Sequence, residues 1–65
     1  MNNILDKWNE LKVIIESIEL DVQKNARGNN SAGIRARKGL RLLKSEASEL
    51  VKLTIQNEKE RKENK

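Results

Sequence analysis

The chain has 65 residues, of which 14 are Lys or Arg and 10 are Asp or Glu, so its formal net charge at pH 7 is +4. It contains no Cys, His, Tyr or Pro and a single Trp. These counts exclude a disulfide-stapled domain and a Cys/His zinc site. They leave one small domain that is marginally stable as a monomer.

The composition also limits the possible compartments and fold classes of the protein. The longest apolar run is residues 13–15, whereas a membrane span needs about 20 such residues. With no secretory leader in view, we expect a soluble, cytoplasmic protein without a membrane segment. Abundant Leu, Ile, Lys, Glu and Arg, together with the absence of Pro, predict an all-α fold.

The first half of the chain carries an apolar stripe with alternating spacings of four and three residues. This spacing predicts a helix over about residues 3–27, with the stripe facing a partner helix. Trp8 belongs to the stripe, and we therefore expect it in the core. The members of the stripe are Ile4, Trp8, Leu11, Ile15, Ile18 and Val22.

A cluster of helix-breaking residues follows at positions 25–31. Gly28 can adopt the left-handed conformation that ends the first helix, and Asn29, Asn30 or Ser31 can cap the next one. The sequence therefore predicts a turn at residues 28–30.

The second half repeats the same spacing and predicts a helix over about residues 31–60, followed by a frayed tail. A short connection makes the two helices antiparallel neighbours, with Val22 level with Ala36 and Ile4 level with Thr54. We expect an antiparallel two-helix hairpin, an α-helical coiled coil. The second stripe consists of Ala36, Leu40, Leu43, Ala47, Leu50 and Thr54.

Further apolar residues lie outside these stripes. Val13 and Leu20 lie on the back of the first helix, and Leu42 and Leu53 share a flank of the second. Because a two-helix unit has little core of its own, these rows predict a homodimeric four-helix bundle.

The charge of the chain is concentrated in its middle. Residues 24–44 contain seven basic residues and no acidic one, while the first 23 residues carry net −3 and the last 21 carry net 0. Helix-dipole effects favour acids, not bases, at the start of a helix, so this cluster indicates polyanion binding rather than only a solvated face.

The expected binding surface is the basic end of the hairpin. Arg37, Lys38, Arg41 and Lys44 fall on one flank of the second helix, which Lys52 extends, whereas Arg35 points towards the Leu42 side. Gly33 and Gly39 indicate a close backbone approach, either to the partner helix or to a phosphate backbone. The candidate DNA-binding residues are Lys24, Arg27, Asn29, Asn30, Ser31, Arg35, Arg37, Lys38, Arg41 and Lys44.

The partner that these residues favour is double-stranded DNA bound with little sequence preference. With Trp8 expected in the core, no aromatic side chain remains to stack on unpaired bases. The flank has no Asn or Gln to read adenine edges, and its Arg and Lys groups suit phosphates. We expect no cofactor, metal ion or small-molecule substrate.

Residues 28–38, with the sequence GNNSAGIRARK, resemble a motif of the bacterial linker-histone-like family, whose best-known members are the chlamydial nucleoid histones. The resemblance covers roughly residues 4–55. It implies DNA binding and compaction in a nucleoid, with Arg35, Arg37 and Lys38 as the basic positions of the motif. The chlamydial proteins carry a long Lys- and Ala-rich tail, which this sequence lacks. We therefore expect binding through the hairpin, or bridging by a dimer with two basic tips.

Two other functions remain open from the sequence. One is an RNA-binding helical-hairpin dimer, and the other is a coiled-coil module that docks on a partner protein. An enzyme is not expected, because Asp6 and Asp21 are far apart and pairs such as Glu16 and Glu19 have surface helix spacing.

Overall fold

The computed structural model describes residues 3–63, with side chains for residues 3–61. Two helices, α1 (Asn3–Ala26) and α2 (Asn30–Glu63), pack against each other and form a rod with dimensions of 55 × 16 × 12 Å. No strand occurs within residues 3–63. The predicted all-helical hairpin is confirmed, and the contacts of Lys7 with Glu46 and of Asp21 with Arg35 show that the helices are antiparallel. The last two positions of the predicted tail lie outside the described residues.

The turn between the helices is a Schellman motif. Gly28 has φ of 105°, and its N–H donates to the carbonyl of Asn25 at 2.9 Å. The N–H of Asn29 donates to the carbonyl of Lys24 at 3.0 Å. Asn29 then caps α2, because its Oδ1 accepts a hydrogen bond from the N–H of Ala32 at 2.9 Å. Of the three predicted caps, the structure selects Asn29.

The buried core is small. Leu11 and Ile18 of α1 and Ala32 and Ala36 of α2 are the only buried apolar side chains in the described part of the chain. Ile4, Ile14, Leu43 and Leu50 are partly buried around them. A core of this size stabilises a hairpin only modestly.

The predicted position of Trp8 in the core is wrong, because Trp8 is 47% exposed. Ile15 and Val22 are also exposed by more than 40%, and so is Leu40 of α2. The helix interface is rotated, so that Lys7, Ile14 and Asp21 occupy the seam in place of Trp8, Ile15 and Val22. The physical reason is that a narrow seam between two helices holds one stripe, and ion pairs across one side of it hold Lys7 and Asp21 there.

Two glycines allow α2 to approach α1 closely. A Cβ atom at Gly39 would collide with Cγ2 of Ile18, and one at Gly33 would collide with Nδ2 of Asn25. Of the two explanations that the sequence left open for these glycines, the structure shows contact with the partner helix.

Ion pairs join the helices on the side of the seam that we call the ion-pair side. Lys7 Nζ donates to Glu46 Oε1 at 2.7 Å and lies 3.8 Å from Glu49 Oε1. The hydrogen bond to Glu46 raises the pKa of Lys7 above its ordinary value, and burial of the ammonium group opposes this change. Nearer the turn, Arg35 Nε donates to Asp21 Oδ1 at 3.1 Å. These pairs fix the register between the helices.

Candidate nucleic-acid interface

The outer face of α2 carries most of the candidate cations. Arg37, Arg41 and Lys44 follow one another at spacings of four and three residues, which places them on one face of a helix. All three are exposed, and Lys38 is exposed beside them. Positions 24–44 form the turn end of the rod, which we call the basic tip.

The cations of the outer face are free to bind an external anion. Within residues 3–61, Lys7 and Arg35 are the basic residues that form ion pairs. Arg37, Lys38, Arg41 and Lys44 have no carboxylate within 4 Å there. Arg35, by contrast, is paired with Asp21 and lies on the ion-pair side. This agrees with the expectation from the sequence that Arg35 points towards the Leu42 side.

The turn contributes exposed polar groups next to these cations. Asn30 and Ser31 are exposed in the first turn of α2, which contains no acidic residue. The side chain of Asn29 is engaged as the helix cap, so it supports the turn rather than facing outwards. Lys24 and Arg27 are exposed at the end of α1, where a cation also interacts favourably with the helix dipole.

A shallow depression extends the basic face along α2 beyond the tip. Arg41, Lys44 and Lys52 border it, together with the hydroxyls of Ser45 and Ser48. Glu49 borders it as well, and its carboxylate lies 3.8 Å from Lys7 Nζ. The two serines were missed from the sequence, although their spacings of four and seven residues from Arg41 place them on the same helical face.

The described residues offer little else of chemical interest. Residues 3–61 hold no group of three or more His, Cys, Asp or Glu that could bind a metal ion. In the same part of the chain, neither helix has the length and apolar character needed to cross a membrane. The arrangement is that of a helical rod with a positive end.

Comparison with known families matches residues 5–60 to the family described as histone H1-like protein Hc1. The chain belongs to this family. Membership in the Hc1 family supports a DNA-binding, histone-like role, and the family is one of structural proteins rather than enzymes. The searches of curated proteins and of solved structures found no match.

Proposed function

We propose that this Hc1-family protein is an architectural DNA-binding protein of the bacterial nucleoid, which binds duplex phosphates without sequence preference. The observation that carries the proposal is the row of exposed, unpaired cations on α2, in a stretch of chain without a carboxylate. Arg37, Lys38, Arg41 and Lys44 supply the main contacts, and Lys24, Arg27, Asn30 and Ser31 assist from the turn. Arg35 joins them when phosphate replaces Asp21 as its partner.

The dimensions of the cation row fit a duplex. Arg37 and Lys44 are seven residues apart, which corresponds to about 10 Å along a helix. Duplex DNA presents about six phosphate charges over the same length of its axis. Forked guanidinium groups and serine hydroxyls both donate hydrogen bonds to phosphate oxygens, so the row binds the backbone and does not read base edges.

The exposure of Trp8 affects the choice between duplex and single-stranded ligands, because an exposed aromatic side chain can stack on unpaired bases. Trp8 lies level with the Lys44 end of the basic tip, since its neighbour Lys7 contacts Glu46. It is, however, the single aromatic residue of the sequence, whereas stacking platforms hold successive bases on several aromatic side chains. Duplex DNA therefore remains the favoured ligand over single-stranded DNA or RNA.

The test compares two double charge reversals by fluorescence anisotropy with duplex DNA. Arg37→Glu/Arg41→Glu alters the proposed site, and Lys59→Glu/Arg61→Glu makes the same change in net charge near the other end of α2. For the unaltered protein, contact with five to seven phosphates predicts a slope of log K against log salt of roughly −4.5 to −6. The site variant is expected to lose about two units of slope and at least tenfold in affinity.

The control variant separates the site from a general charge effect. It is expected to keep most of both the slope and the affinity, because its residues lie outside the proposed contacts. Equal losses in the two variants would show that only net charge attracts DNA. Stem-loop RNA that competes better than duplex DNA would favour the RNA-binding alternative.

A further inference from the structure

One side of the hairpin presents apolar side chains from both helices. Counting about 100° per residue, they lie on the side of the buried residues Leu11 and Ile18 that is opposite the ion-pair side. We call this surface the apolar face. It consists of Trp8, Ile15 and Val22 of α1 and Leu40, Val51 and Ile55 of α2, each between 42% and 58% exposed. By the same count, Arg37 and Lys44 of the cation row border this surface along α2, three residues before and four residues after Leu40.

The apolar face has the size of a stable protein interface. On a rod 16 Å wide, two reversed copies centred on Ile15 overlap over about 40 Å and cover roughly 640 Å² of one side, and stable interfaces bury about 600–1,000 Å² per partner. Within residues 3–61 the hairpin buries four apolar side chains, and no large side chain in that range is fully buried. A second layer of helices is therefore the main source of further apolar burial open to this chain.

The pattern of α1 is suited to pairing with itself. An interface with two-fold symmetry requires each residue to meet a complementary one on the same surface. Trp8 lies seven residues before Ile15, and Val22 lies seven residues after it. In two antiparallel copies centred on Ile15, Trp8 of one copy therefore meets Val22 of the other. Lys12 lies three residues before Ile15 and Glu19 lies four after it, so antiparallel pairing also brings opposite charges together.

The ion-pair side does not meet this requirement. Val13 and Leu42 line a groove there, but the carboxylates of Asp6, Glu10 and Glu46 border the same groove. Two copies joined through it would bring these acidic groups together and bury the ion pairs of Glu10 and Glu46 with Lys7, which is unfavourable in an interface. The rows around Val13 and Leu42, which the sequence pattern alone favours as the dimer contact, are therefore less suited to self-association.

We propose that a second copy of this chain packs on the apolar face in the reverse direction, so that the two basic tips lie at opposite ends of a four-helix bundle. The alternative arrangement has both tips at the same end and brings together two segments of net charge +7. Reversal spreads this charge along the bundle. It also gives the dimer two separated DNA contacts, one for each of two duplex segments.

The decisive measurement is the distance between the tips in the absence of DNA, so that it does not depend on the proposed DNA binding. Because the chain has no Cys, Asn30→Cys carries a single nitroxide spin label. The turn lies about 13 residues, or 20 Å, from Ile15, so reversed copies centred on Ile15 separate the labels by about 40 Å. Copies in the same direction separate them by about 15 Å, given helix spacings of 8–10 Å.

A matched pair of variants tests the surface itself. Ile15→Glu places a charge on the apolar face, and Leu20→Glu places the same charge on the back of the same helix, where Leu20 is 58% exposed. Ile15→Glu is expected to raise the dimer dissociation constant about 100-fold or more, because two carboxylates are buried at the centre of the interface. Leu20→Glu is expected to leave it within about threefold.

Sedimentation and circular dichroism complete the test. Both variants should retain the helix content of the unaltered protein at a concentration where the Leu20→Glu dimer is intact. A label distance below 20 Å would overturn the reversed arrangement. Monomers at 100 μM, or a dimer disrupted by Leu20→Glu and not by Ile15→Glu, would overturn the assignment of the apolar face.

Discussion

Gly39→Ala is expected to destabilise the hairpin, although the same change in an ordinary helix is stabilising. Alanine gains about 1 kcal/mol over glycine in helix propensity. At Gly39, however, the new Cβ would collide with Cγ2 of Ile18, whose β-branched side chain has little freedom to move away. Overpacking costs about 1–3 kcal/mol, and the rigid Ile18 side chain favours the upper half of that range. After the gain of about 1 kcal/mol in helix propensity is subtracted, the net loss of stability is about 1–2 kcal/mol.

The assay is thermal unfolding followed by circular dichroism at a fixed protein concentration. For a domain of this size a loss of 1 kcal/mol lowers Tm by about 4–8 °C, so we expect a decrease of at least about 4 °C. Ser45→Ala, at an exposed position of α2, is the control and is expected to leave Tm unchanged or slightly raised.

A second background tests the reason for this effect. Ile18→Leu removes the colliding Cγ2 methyl and keeps the side-chain volume, so it costs less than about 1.5 kcal/mol by itself. In that background Gly39→Ala is expected to become neutral or stabilising. An increase in Tm for Gly39→Ala in the unaltered protein would refute the close helix approach as the reason for this glycine.

Three further predictions follow from the turn, the Lys7 ion pair and Trp8. Gly28→Ala is expected to cost about 1–2 kcal/mol, measured by urea unfolding, because φ of 105° is unfavourable for any residue with a Cβ; an unchanged stability would contradict the Schellman turn. Because the pKa of Lys7 is raised in the folded state, its contribution to stability is full below its unfolded pKa of about 10.4 and is lost as pH rises through the folded value. The difference in unfolding free energy between the unaltered protein and Lys7→Met should therefore shrink between pH 8 and pH 12, and a constant difference would argue against the pair with Glu46. Trp8 fluorescence is expected to shift to shorter wavelength as protein concentration rises and to show no shift in Ile15→Glu. The same shift in both proteins would show that Trp8 does not lie in the dimer contact.

The hairpin itself could be predicted from the sequence because each local signal has one physical meaning. Spacings of three and four residues specify helices, and Gly28 followed by Asn29 specifies the end of α1 and the start of α2. The family resemblance and the acid-free basic segment could likewise be read directly from the residues. These parts depend on neighbours in the chain, not on tertiary contacts.

The face that each helix buries could not be predicted in the same way. Two stripes of α1 share Ile4, Leu11 and Ile18, and hydrophobicity alone favours the one that continues through Trp8. The structure uses the other stripe, where Lys7 and Asp21 find partners on α2. Such ion pairs depend on the register between the helices, which the pattern of a single helix does not contain.

Salt-dependent binding to two unrelated duplexes of equal length is the most direct test of the central claim. Binding through phosphates predicts similar affinities for both duplexes and a slope of log K against log salt of roughly −4.5 to −6. A flat salt dependence, or a strong preference for one sequence, would contradict the proposal that this basic tip binds DNA through its phosphates.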